Sequence, residues 1–161
     1  MYYTIYAQLQ QRTLLTIMEV AEIKVSYSNT NLERIKVTNS QILYDLVLKQ
    51  WNLDIIELQE EVKIVLLNRA QIVLGIYEMS KGGVSGTVVD IKIILGIALK
   101  CNASSIVIAH NHPSGSLQPS ETDKSITKKL KEACKLLDLN LLDHLVVTTG
   151  GYYSFSDNGI L

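Results

Sequence analysis

Two of the chain's three histidines stand two residues apart in His110-Asn111-His112, and an aspartate, Asp123, follows on the C-terminal side. On an extended backbone, side chains at i and i+2 point the same way, so the two imidazoles can converge on one ion. Two histidines and one carboxylate form the ligand set of a catalytic zinc site, leaving one position for water. Zinc lowers the pKa of that water toward about 7, which makes hydroxide at neutral pH. Taken singly, each histidine reads as an ordinary surface or core residue. Two of three falling beside one rigid loop makes accident the weaker explanation.

The loop is rigid because both prolines of the chain lie in it. Pro113 bends the chain out of a strand, Ser114-Gly115 turns it, and Pro119 sets Ser120 as a helix cap. Asp123 then sits on the first helical turn. Ser120-x-x-Asp123 also resembles a capping box, which competes with a metal for the same carboxylate.

The elements that must position these residues follow from periodicity. Residues 104–109, Ser-Ser-Ile-Val-Ile-Ala, read as a short strand buried on both faces, with 110–119 as the loop after it. Ser120 opens a helix to about Leu137. Upstream, Val62 to Asn68 reads as a strand and Gln71 to Met79 as its hairpin partner. Thr38 or Ser40 caps a helix to about Lys49, with Ile42, Leu43, Leu46 and Val47 on one face. Residues 90–100 have helical spacing at Ile91, Ile94, Leu95, Ala98 and Leu99. Leu141 to Thr148 and Tyr152 to Phe155 read as strands around a Gly150-Gly151 turn, and residues 80–86 as a glycine loop. Residues 21–27 alternate like a half-buried strand, 28–31 read as a turn, and 1–20 are poorly patterned. The order β-α-β-β-α-β-α-β-β predicts an α/β (α+β) domain, a mixed sheet flanked by helices.

Composition agrees with one domain. The chain has 161 residues, 47% of them apolar and 19% charged, which is globular rather than disordered. No apolar run approaches the roughly 20 residues of a membrane span, and the N-terminus lacks a signal-peptide pattern, so a cytoplasmic location is expected. A net charge of −1 does not argue for nucleic-acid binding, though it leaves it open. The basic cluster Lys124, Lys128, Lys129, Lys131 and Lys135 reads first as a solvated helix face. Cys101 and Cys134 form no ligand pair and read as small buried hydrophobes.

The pattern His110-x-His112-Pro113 followed by Ser120-x-x-Asp123 resembles the JAMM motif of the JAB/MPN+ metallohydrolases. More narrowly, His110-Asn111-His112-Pro113-Ser114-Gly115 and Leu142-Asp143-His144-Leu145 resemble the RadC family of bacterial proteins linked to DNA repair. The segments Ser80 to Thr87, Asn102 to Ser105 and Tyr153-Ser154-Phe155 extend that resemblance over about residues 38–161. It implies a JAB/MPN fold, similar in layers to cytidine deaminases. It implies zinc on His110, His112 and Asp123, and an upstream glutamate as general base. Of Glu60 and Glu61, the resemblance favours Glu60, and the two point to opposite faces if the strand is regular. Ser120 would hydrogen-bond the reacting carbonyl oxygen or the water. The implied reaction is hydrolysis of a peptide or isopeptide bond in a protein substrate.

Two departures stand out. Residues 1–37 form an extension, a strand or short helix, without the helix-hairpin-helix module usual in that family, which weakens the DNA connection. Ile91-Lys92 replaces a common Pro-Arg, leaving any role of that arginine to Lys92. The cysteine pattern of cytidine deaminases is missing. For Asp143-His144 a structural role is favoured, with a contact beside the zinc as the alternative. Tyr152-Tyr153 reads as packing rather than base stacking. Two alternatives to hydrolysis stay open: an accessory module in DNA repair or mobile-element biology, and a metal-binding protein-interaction scaffold.

Overall fold

The structure, a computed structural model, describes residues 28, 34–83 and 88–161. The strand expected at 21–27, the patterning of 1–20 and most of the turn at 28–31 lie outside the described residues. So do residues 84–87 of the glycine loop.

Helix α1 (Ser40–Leu48) is capped by Asn39, whose side chain accepts from the Ile42 N–H at 2.9 Å. The cap is therefore neither of the two expected residues. The Ser40 hydroxyl instead meets Asp157 and the Tyr152 hydroxyl. Strands β1 (Glu61–Leu67) and β2 (Val73–Lys81) form the expected hairpin, closed by Asn68, whose side chain accepts from the N–H groups of Ala70 and Ile72. Helix α2 (Ile91–Lys100) follows, capped by Asp90. Then come β3 (Ser105–Asn111), α3 (Glu121–Lys135), β4 (Asn140–Thr148) and β5 (Gly151–Ser154).

Among the described residues, five strands form one mixed sheet in the order β2-β1-β3-β4-β5. Only the β3–β4 pair is parallel, as a strand–helix–strand crossover through α3 requires. Alternation then sorts the side chains. Val62, Ile64, Leu66, Ile106 and Ile108 pack on one face against Ile94, Ala98 and Leu130 of α2 and α3. Val65, Leu67, Val107, Ala109, Leu145 and Val147 pack on the other against α1, Trp51 and Ile56. A mixed sheet covered on both faces is the fold class expected. Leu99 is a correction: α2 buries Ile94 and Ala98, whereas Leu99 is 53% exposed. Among the described residues no helix is long and apolar enough to cross a membrane.

This two-face bookkeeping positions the chemistry. Strand β3 runs two residues further than expected, so His110 and Asn111 are its last paired residues rather than the start of a loop. His110 shares the parity of Ile106 and Ile108 and faces α3, while Asn111 faces the α1 side. Val62 pairs with His110 across the β1–β3 ladder.

Candidate metal centre

His110 is 2% exposed at the end of β3, and His112 lies just beyond, its N–H donating to Val147 O at 3.1 Å. The chain turns at Gly115, where φ is +76°, a conformation suited to glycine. That turn brings Ser116 O to 2.7 Å from His112 Nδ1. A carbonyl can only accept, so His112 carries a proton on Nδ1 and turns Nε2 into the cleft.

Asp123 arrives from α3. The capping box at this helix is complete: Ser120 Oγ accepts from the Asp123 N–H at 3.1 Å, and Asp123 Oδ2 accepts from Ser120 N–H at 2.7 Å. The Ser120 hydroxyl also donates to Oδ2 at 2.7 Å. Oδ1 is left facing His110 Nε2 at 3.5 Å. Oδ2 therefore serves the cap as well as facing the cleft, while Oδ1 is free of the cap.

The His110, His112 and Asp123 ligand atoms all lie within 4.8 Å of one another, a group that could hold a metal ion. The two Nε2 atoms are 3.0 Å apart, and His112 Nε2 is 3.8 Å from Asp123 Oδ2. Glu60, Ser120 and His144 line the same cleft of about 420 Å³. Glu60 and Glu61 separate as alternation requires. Glu60 joins the cleft, whereas Glu61 is buried on the other face, 3.7 Å from Lys63 Nζ and 3.3 Å from Lys81 Nζ.

The local electrostatics follow from this crowding. Burial pushes the Glu60 carboxyl above its usual range and Asp123 adds to the shift, while the two imidazoles oppose it. Burial would also raise Asp123, but the imidazoles of His110 and His112 beside it and the Ser120 hydroxyl hold it well below the usual carboxylate range. The Asp123 carboxylate beside it raises His112 against the opposing effect of burial.

Three features escape spacing arguments. Asn111 spans the sheet's far side: its Nδ2 donates to Ile56 O at 2.6 Å and Gln59 O at 2.8 Å, and its Oδ1 accepts from the Glu61 N–H at 2.7 Å. Asn111 therefore fixes the segment that carries Glu60. The glycine loop fixes it from the other side, since Gly82 N–H donates to Glu60 O and Glu60 N–H to Gly83 O. His144, 2% exposed, places Nε2 at 2.8 Å from His110 Nδ1 and Nδ1 at 2.6 Å from the Thr127 hydroxyl. Its neighbour Asp143 points oppositely, accepting from the Ser154 hydroxyl and the Ser156 N–H. Tyr152 packs as expected, stacked on Tyr44 at 4.9 Å.

Residues 37–160 match the family model for the RadC-like JAB domain. The chain is similar to a UPF0758 protein of Flavobacterium johnsoniae, 46% identical over 101 residues, or 63% of this chain and 44% of the relative. A UPF0758 protein of Porphyromonas gingivalis is 42% identical over 104 residues, 64% of this chain and 46% of that one. A third, from Clostridium beijerinckii, is 37% identical over 128 residues, 79% and 54% of the two chains. The chain spans about half the length of the curated relatives it matches.

Proposed function

The chain belongs to the RadC-like JAB-domain family, and from that premise we propose that it is a zinc-dependent hydrolase of the JAMM type, cleaving a peptide or isopeptide bond. The observation that carries this reading is the donor triangle. The two imidazole Nε2 atoms are 3.0 Å apart, His110 Nε2 is 3.5 Å from Asp123 Oδ1 and His112 Nε2 is 3.8 Å from Asp123 Oδ2, and one ligand atom from each residue lies within 4.8 Å of the others. Four ligands at the 2.0–2.1 Å usual for zinc stand at tetrahedron corners about 3.3 Å apart, so the three donors fit such an ion with little movement. Two nitrogens and a carboxylate oxygen also suit zinc chemically, with His110, His112 and Asp123 holding it.

When bound, zinc supplies a Lewis acid that polarises a carbonyl oxygen and acidifies water toward a pKa of about 7. The chain's own residues do the rest. Glu60 takes the proton of the attacking water and delivers it to the leaving amine, and its raised carboxyl suits a group that must both accept and release a proton. The Ser120 hydroxyl, at the cleft wall, steadies the developing oxyanion by exchanging its bond to Asp123 for one to the substrate. The substrate is a protein or peptide, and the location is the cytoplasm, which would keep Cys101 and Cys134 as the free thiols they are here.

Metal analysis tests the premise: about one zinc per chain, lost in His112→Ala. A screen of peptide, isopeptide and nucleic-acid substrates tests the chemistry. Glu60→Gln should retain zinc and lose about 10²–10⁴-fold in turnover. A protein that takes up no zinc, or turnover indifferent to Glu60→Gln, would overturn the respective half of the reading.

A second reading has one observation in its favour. Lys128, Lys129 and Lys135 are exposed along α3, the helix that carries Asp123. A nucleic-acid accessory module would use them to meet phosphates, with affinity falling steeply in salt. No measurable binding at about 50 mM salt would remove it.

A further inference from the structure

We propose that Thr127 and His144 form a hydrogen-bond relay that holds a proton on Nδ1 of His110 and thereby leaves its Nε2 to face the cleft. The polarity of the relay can be derived link by link, starting from an atom with one possible role. Asp123 O is a carbonyl oxygen and only accepts. The Thr127 hydroxyl lies 2.5 Å from it and donates its single proton there. Thr127 Oγ1 must then act as acceptor toward its other neighbour, His144 Nδ1, at 2.6 Å. His144 therefore carries its proton on Nδ1.

The His144 ring is buried among His110, Thr127 and Phe155, the last stacked on it at 4.7 Å. A neutral imidazole has one donor and one acceptor nitrogen, so His144 Nε2 accepts. Its partner at 2.8 Å is His110 Nδ1, which must donate. The Nδ1 proton leaves Nε2 as the His110 nitrogen that faces the cleft, 3.5 Å from Asp123 Oδ1 and 3.0 Å from His112 Nε2.

The relay starts and ends on the same centre. It leaves α3 at the Asp123 carbonyl, crosses to β4 through His144, and returns to β3 at His110. Because Thr127 is one turn beyond Asp123 on the helix, the relay also fixes the first turn of α3 against the strand that carries the histidines. Its role is positioning, since Thr127 and His144 act through His110 rather than on a substrate. For metal capture it rests on the zinc reading above, but the Nδ1 proton it holds on His110 is a property of the metal-free protein.

The experiment is long-range nitrogen–proton correlation NMR on metal-free protein labelled with ¹⁵N-histidine. The expected pattern is Nδ1–H with bare Nε2 for His144 and Nδ1–H for His110; a bare Nδ1 on His110 overturns the relay. Zinc affinity is then measured by chelator competition on Thr127→Val, which keeps shape and removes the hydroxyl, and on Thr127→Ser, which restores it. Loss of an outer partner of a ligating histidine typically costs about 10–100-fold in affinity. That loss in Thr127→Val, with recovery in Thr127→Ser and a single cooperative melting transition in both, is the expected result. Wild-type affinity and tautomers in Thr127→Val would overturn it. Wild-type protein that binds no zinc yet shows the expected tautomers would remove the zinc reading and leave the relay standing.

Discussion

Asn111 lies between two histidines in sequence and across the sheet from them in space. Its side chain satisfies one backbone N–H and two backbone carbonyls in the segment leading to Glu60, and it is 0% exposed. A buried polar group that loses its partner costs about 1–3 kcal/mol. Asn111→Ala strands several such groups at once, so urea unfolding should show a loss of about 3 kcal/mol or more. Asn111→Asp keeps the acceptor for Glu61 N–H but turns a carboxylate oxygen on two carbonyl oxygens in a buried site, and should cost at least as much. In a folded Asn111→Ala protein, zinc content should hold while turnover drops, because the change moves Glu60 and not the donor triangle. Equal stability of Asn111→Ala and wild type would contradict the clamp. Spacing cannot find this residue, because its partners are 50 to 55 positions upstream. His144 meets His110 over a separation of 34 positions for the same reason. The donor triangle was legible because two of its members share one strand, where i and i+2 are neighbours by construction.

At the scale of elements, the site depends on where β3 stops and α3 starts. Ser120 holds that start, and its substitution by Ala removes the acceptor for Asp123 N–H and a donor to Asp123 Oδ2. Loss of an N-cap of this kind costs about 1 kcal/mol, which the urea midpoint should report. Zinc affinity should fall less than in Asp123→Ala, because Oδ1 keeps its direction toward His110. An affinity loss equal to that of Asp123→Ala would show Ser120 to be part of the donor set itself. Element positions were readable where an apolar period ran against a turn, as in the β1–β2 hairpin around Asn68. They were misread where polarity and burial disagree. His110 and Asn111 look like loop residues by composition, but the sheet pairs and buries both. Thr38, Asn39 and Ser40 can all cap a helix; Asn39 does so, and the Ser40 hydroxyl is taken up by Tyr152 and Asp157. Leu99 fits the helical stripe of α2, yet it is 53% exposed beside the fully buried Ala98.

For the whole molecule, the question is whether the fold needs its metal. The two apolar clusters are built from β1, β3, β4 and the three helices without a contribution from the cleft's polar side chains. A domain with such cores on both faces of one sheet should stay folded under chelation, unlike small zinc modules whose binding energy is their folding energy. A ligand that binds only the native state adds RT ln(1 + [L]/Kd), about 4 kcal/mol at a thousandfold excess over Kd. In a chain of this length that raises Tm by about 10 °C. Melting with zinc and with a chelator should therefore give two single cooperative transitions separated by about that amount. The gap should close in His112→Ala and persist in Glu60→Gln, because Glu60 acts on the substrate's protons and not on the ion. Hydrogen exchange should place the added protection at three stretches that meet only in the fold: the end of β3, the first turn of α3, and β4 around His144. Superimposable melting curves would mean that the donor triangle does not bind zinc in the native state. Unfolding on chelation at room temperature would mean that the apolar cores alone do not hold the sheet.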